Sequence, residues 1–172
     1  MPIYAIGEHE PVISDSAFIH PDAVIIGNVT IGPESTVWPG AVLRGDHGAI
    51  RVGAQTSVQD GSIVHCTADL DTVIGDRCTI GHRAHLEGCL IEDECLVGSG
   101  SVVLHRAVVR RGALVGAQAL VTNDTEVPAG AMALGVPAKI FPDRVPEGAN
   151  LAAADVYVGN ARWYNAELRR LS

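Results

Sequence analysis

The 172-residue sequence predicts an all-β fold, a parallel β-helix followed by one C-terminal α-helix. Three observations carry this expectation. A large aliphatic residue recurs at every sixth position, and the residue two places before it is usually small. The chain is 47% apolar but only 4% aromatic, so its core must be built from Val, Ile, Leu and Ala in thin, regular layers. A period of six fits neither an amphipathic helix nor the alternation of a hairpin meander. It does fit short strands joined by corners, each strand forming one side of a coil.

The repeat runs from Ile19 through Ile25, Ile31, Val37 and Leu43. After a three-residue slip it resumes at Val52, Val58 and Val64, and after a four-residue slip at Ile74, Ile80 and Leu86. A five-residue step then leads to Ile91, Val97, Val103, Val109, Val115, Val121 and Val127. Ala17, Ala23, Ala41, Cys78, Ala84 and Cys95 are among the small residues two places earlier, where the chain turns a corner. Three rungs close a triangular coil of 18 residues, so these eighteen rungs make about six coils. Over residues 17–130 the pattern resembles the left-handed hexapeptide β-helix, an exception to the right-handed crossover rule.

Beyond GVPAK (Gly135 to Lys139) the pattern ends, and Pro137, Pro142 and Pro146 punctuate a linker. Leu151 to Leu171 reads as a helix with Val156, Ala161, Trp163, Tyr164 and Leu168 as its apolar stripe. That stripe should pack along one flank of the prism, its own or a neighbour's. Residues 1–147 are thus the β-helix with its lead-in and linker and residues 148–172 the helix, together a single domain.

A net charge of −8 without any Lys/Arg run argues against nucleic acid as a partner. The N-terminus lacks the pattern of a signal peptide. No apolar stretch approaches the roughly 18 residues of a membrane span. A cytoplasmic protein is expected. Its four cysteines then read as thiols rather than disulfides. Cys78, Cys89 and Cys95 fall two before a rung, in the small interior slot, whereas Cys66 is expected to point outward beside His65.

GHRAHLEGC, residues Gly81 to Cys89, raises the question of a metal site. His65 and Glu87 each follow a rung and are 22 positions apart, or 18 once the four-residue slip is removed, which is one full coil. They should therefore stack on one face of adjacent coils, with backbones about 4.8 Å apart. His82 lies two after Ile80, on a different side of the triangle, with Asp60 beneath it one coil away. A carboxylate so placed can orient the imidazole. A site using His65, Glu87 and His82 needs His82 from a neighbouring subunit, and a closed trimer supplies that geometry three times. His85 falls near a corner, with a smaller claim to the metal.

LRGDHGAIRVGAQTSVQDGSIVHC, IGHRAHLEGCLIEDECLVGSGSVV and GVPAKI together resemble the γ-class carbonic anhydrases over nearly the whole chain. The resemblance implies a homotrimer with metal held between subunits and CO₂/bicarbonate as substrate. The metal it implies is zinc, with Fe²⁺ or Co²⁺ as alternatives. It assigns Arg44 and Asp46 a structural ion pair, Gln59 the orientation of metal-bound water and Asp60 a supporting role. His65 and His82 match two of the family's three ligands. The third family ligand is a histidine five after His82, and here that position is Glu87.

Two His and one Glu form an established zinc set, but an anionic ligand offsets part of the ion's charge and leaves bound water less acidic. The family tends to place a tyrosine near the metal, which points to Tyr157 or Tyr164. The slip after His65 carries no conspicuous acidic shuttle loop; Asp69 and Asp71 read as solvated charges, and His47 and His85 as candidate proton relays. Two alternatives remain: a hexapeptide acyltransferase using an acyl-CoA, and a metal-binding family member with little turnover.

Overall fold

A computed structural model describes residues 2–171. Every aliphatic rung from Ile19 to Val127 points inward, and none exceeds 8% exposure. Burying a Val, Ile or Leu contributes roughly 1.5–3 kcal/mol each, so this single file of side chains is the principal source of cohesion. The inward thiols of Cys78, Cys89 and Cys95 fill the expected small slots.

One face of the prism stacks the parallel strands Phe18–Ile19, Thr36–Val37, Ser57–Val58, Thr79–Ile80, Leu96–Val97, Leu114–Val115 and Met132–Leu134. Seven strands in that column mean about seven coils rather than six. The extra coil closes on Ala133, which is fully buried but too small to register as a rung. At the other end, Val12–Ile13 in the lead-in pairs with Thr30–Ile31. The last coil is capped by Lys139–Phe141, which pairs antiparallel with Met132–Leu134.

The first slip is absorbed as a register shift between Gly27 and Val29, and the ladders on either side of it stay parallel. Val42–Val52 runs as one long strand through the first slip and adds Ile50, fully buried, to the core. The second slip is pinned by Asp71, whose Oδ1 accepts from the Ala49 amide at 2.8 Å and whose Oδ2 lies 3.6 Å from Arg51. Asp71 is therefore a structural tie rather than a free loop charge. Asp69 is exposed. Cys66 departs from expectation: it is fully buried and belongs to the core, because in–out alternation continues past the strand, from the inward Val64 through the outward His65 to Cys66.

The helix spans Leu151–Glu167, and Leu168 onward leaves it in extended conformation. It docks on its own chain, with Arg77 to Asp155 at 2.7 Å and Arg162 to Glu34 at 2.8 Å. Its buried stripe is Ala154, Tyr157, Ala161 and Tyr164, whereas Val156, Trp163 and Leu168 are exposed. The flank decides this choice. Phe18 and Trp38 project from it, and the tyrosine rings pack edge-on against them, Trp38 lying 5.7 Å from Tyr157 and 5.0 Å from Tyr164. No helix among the described residues is long and apolar enough to cross a membrane.

Two predictions follow from the packing. A Cβ at Gly32 would sit 2.6 Å from the Gly53 carbonyl oxygen on the next coil, while one at Gly159 meets nothing within 4 Å. Gly32→Ala should lower the melting temperature by several degrees. Gly159→Ala should raise stability by about 0.5–1 kcal/mol through helix propensity, as thermal unfolding of both variants would show. All four cysteines are buried, and burial pushes the Cys89 thiol up to about 12. A thiol-specific reagent at pH 8 should therefore label none of the four rapidly until denaturant is added, Cys66 included.

Candidate metal centre

Stacking puts Arg44, His65 and Glu87 in one outward column, because Arg44 pairs with His65 and His65 with Glu87 in successive parallel strands. The side chains complete a continuous polar chain along this column. Arg44 Nη1 donates to Asp46 Oδ2. Asp46 Oδ1 lies 3.0 Å from His65 Nε2, and Glu87 Oε1 lies 2.8 Å from His65 Nδ1. The histidine is thus clamped between two carboxylates, with its ring plane fixed.

Partial burial is the largest single influence on both acids and opposes their ionisation. Hydrogen bonds outweigh it: those from His65 and Arg44 hold the Asp46 carboxyl below its ordinary range, and those from His65 and His85 do so for Glu87. Both groups are therefore carboxylates at neutral pH, which suits them to face a cation.

The second oxygen of Glu87 faces two more imidazoles. His85 Nε2 is 3.4 Å from Oε2 and His105 Nε2 is 3.7 Å from it. His85 is on the same face as Glu87 because residues two apart on a strand share a side. His105 escaped the sequence reading. Its signal was present, since continuing the register from His85 to Val102 sets Leu104 and His105 over Glu87 and Gly88. His47 is exposed and makes no part of this cluster.

The remaining residues gather on a different side of the prism. Ser57–Val58 pairs with Thr79–Ile80, so the turns that follow these strands lie one above the other. Asp60 Oδ2 meets His82 Nδ1 at 2.8 Å, which directs the other ring nitrogen outward. Gln59 is buried beside them. Burial raises the Tyr157 phenol and the Asp60 charge adds to that, while a hydrogen bond with the Gln59 side chain works the other way. Tyr157 is thus the tyrosine that reaches the site, and Tyr164 instead packs on Phe18 and Trp38.

One chain therefore presents two half-sites on two faces. His65 and Glu87 set an imidazole beside a carboxylate, donor types suited to zinc once His65 Nε2 releases Asp46, while His82 looks away from them. Among the described residues no three His, Cys, Asp or Glu groups enclose an ion as they stand. The donor chemistry of His65 and Glu87 fits a metal, and within one chain His82 lies on a different face from them.

The model of the bacterial transferase hexapeptide repeat (six repeats) matches residues 10–45 and 71–105. Gamma carbonic anhydrase 1, mitochondrial, from Arabidopsis thaliana is 43% identical over 137 residues, covering 76% of this chain and 50% of that protein. The chain thus spans half the length of that relative. The carnitine operon protein CaiE of Escherichia coli K12 is 40% identical over 139 residues, covering 81% of this chain and 71% of CaiE. A crystal structure of a hexapeptide transferase family protein from Anaplasma phagocytophilum superposes with a TM-score of 0.90 at 36% identity, covering 95% of this chain and 98% of that one. With the six-residue rungs, the seven-coil prism and these relatives in agreement, the chain belongs to the hexapeptide-repeat β-helix family that includes the γ-class carbonic anhydrases.

Proposed function

We propose that this protein is a γ-carbonic-anhydrase-type lyase that interconverts CO₂ and bicarbonate at a metal site between subunits of a homotrimer. The observation that carries this reading is the division of the donors: His65 and Glu87 on one face, His82 with Asp60 on another. In a closed trimer each such face meets its complement on the next copy. The ion, zinc or alternatively Fe²⁺ or Co²⁺, would be held by His65, Glu87 and His82 of the next copy. When bound, it supplies the Lewis acidity that lets a water molecule lose a proton near neutral pH.

The chain's own residues do the rest. Asp60 fixes the His82 tautomer through Nδ1 and aims the opposite nitrogen outward. Gln59, anchored by the Tyr157 hydroxyl, orients the attacking water. Arg44 and Asp46 hold His65 in place and brace the contact between copies. Glu87 sets the pace: its negative charge replaces a neutral imidazole, so water is less acidic and CO₂ hydration slower than with three histidines. The reading keeps the protein in the cytoplasm.

A second reading has one observation behind it. The His82–Asp60 pair opens on a groove of ≈ 500 Å³ lined also by Arg83, Ser99, Gly100 and Gln118. A histidine oriented by a carboxylate could serve as the general base of acyl transfer from an acyl-CoA in that groove. A hexapeptide transferase family member is among the structural relatives.

Mixing inactive chains separates the readings. His65→Ala and His82→Ala should each lower CO₂ hydration about 100-fold or more, whereas unfolding and refolding them together at equal amounts should restore about a quarter of wild-type activity, the fraction of interfaces holding both intact halves in a trimer. Absence of recovery would contradict a shared site. Acetyl transfer from acetyl-CoA that survives His65→Ala but not His82→Ala would favour the second reading.

A further inference from the structure

The imidazole of His105 sits in an unusual position. Its Nε2 is buried with no hydrogen-bond partner, although its side chain as a whole is one-third exposed. Buried polar atoms are nearly always satisfied, and one that is not calls for an explanation such as an ion. The nitrogen faces Glu87 Oε2 at 3.7 Å, and His85 Nε2 faces the same oxygen at 3.4 Å. The His85 contact is a long hydrogen bond, and the His105 separation is beyond hydrogen-bond reach of about 2.7–3.2 Å. They come close to the edge of a coordination tetrahedron, since donors at about 2.0–2.2 Å from one zinc ion lie about 3.4 Å apart.

The backbone builds this corner around His105. Gly88 has a φ of +60°, and a Cβ there would lie 3.1 Å from His105 Cδ2 and 3.0 Å from Leu70 Cβ. Glycine thus leaves the space the ring enters. Thr72 Oγ1 accepts from the Gly88 amide at 2.7 Å, and the Arg106 amide donates to the Gly88 carbonyl at 2.7 Å, which ties the His105 corner to the one below. Glu87 divides its two oxygens: Oε1 serves His65, while Oε2 is left to His85 and His105.

We propose that Glu87, His85 and His105 form a second cation site for zinc or a similar divalent ion, complete within one chain and needing no neighbour. This goes beyond the interfacial reading and does not rest on it. Glu87 then bridges two sites, with His65 on one side and the His85–His105 pair on the other. A bridging carboxylate is a role open to glutamate and closed to the histidine found at this position in the γ-class pattern. The rings must adjust to close on the ion, since no three donors enclose one as they stand.

Metal binding measured without reference to catalysis decides the matter. In His82→Ala, where the interfacial site is removed, titration with Zn²⁺ should show one site per chain. Adding His105→Ala or the polar, similarly sized His105→Gln to that background should weaken binding about tenfold or more. Co²⁺ in place of Zn²⁺ should give the intense visible absorption of a tetrahedral site in His82→Ala and lose it in both double variants. Thermal unfolding of the metal-free variants would show that each still folds.

No Zn²⁺ bound by His82→Ala would overturn the proposal while leaving the interfacial reading intact. Binding that survives both His105 substitutions would overturn it equally. Failure of the interfacial reading would instead appear as full CO₂ hydration in His82→Ala.

Discussion

Everything in this protein depends on the parallel register between successive coils. Each strand is only two or three residues long at most levels and has little stability of its own. What fixes it is the ladder of hydrogen bonds to the coils above and below, together with the aliphatic side chain it sends into the shared core. A shift of one residue would turn that side chain outward and expose the rung. The register is therefore strongly specified along the prism, and it is re-established after the slips, shifting between Gly27 and Val29 at the first. Because position along the chain converts directly into position on a face, residues far apart in sequence become vertical neighbours.

The proposed metal chemistry is a consequence of that conversion. His65 and Glu87 meet because Val64 and Leu86 are rungs on the same side one coil apart, and Asp60 meets His82 because Val58 and Ile80 are. The same rule keeps the two pairs from meeting each other within one chain. A β-helix cannot easily bring two of its flat faces together, so a site drawing on both has to be assembled between copies. Replacement of an imidazole by Glu87 acts on this frame in two ways. On the proposed function it would lower the positive charge available to activate water, and it supplies a second oxygen directed toward His85 and His105.

Much of this was legible in the sequence, and the failures have a common origin. The eighteen large rungs and both vertical pairings could be read because a six-residue period with a large aliphatic is an unambiguous signal. The coil closed by Ala133 was hidden because its side chain is too small to mark the rung. Cys66 reads as outward when it is grouped with its neighbour His65, whereas strand alternation from the inward Val64 carries it back into the core.

The helix stripe was misjudged because periodicity offered two comparable faces. The aromatic flank of Phe18 and Trp38, seen only in three dimensions, selects the one bearing Tyr157 and Tyr164. His105 belongs to a different class. Its place over Gly88 follows from the register, but its buried nitrogen without a hydrogen bond is visible only from packing.

The most direct test of the central claim is a crystal structure of the zinc-loaded protein with anomalous scattering measured at the zinc edge. The account predicts a trimer with an anomalous peak at each interface, within bonding distance of His65 and Glu87 of one chain and His82 of the next. A peak bound by a single chain's residues alone at every level, or an assembly in which His82 faces solvent, would contradict a site shared between subunits.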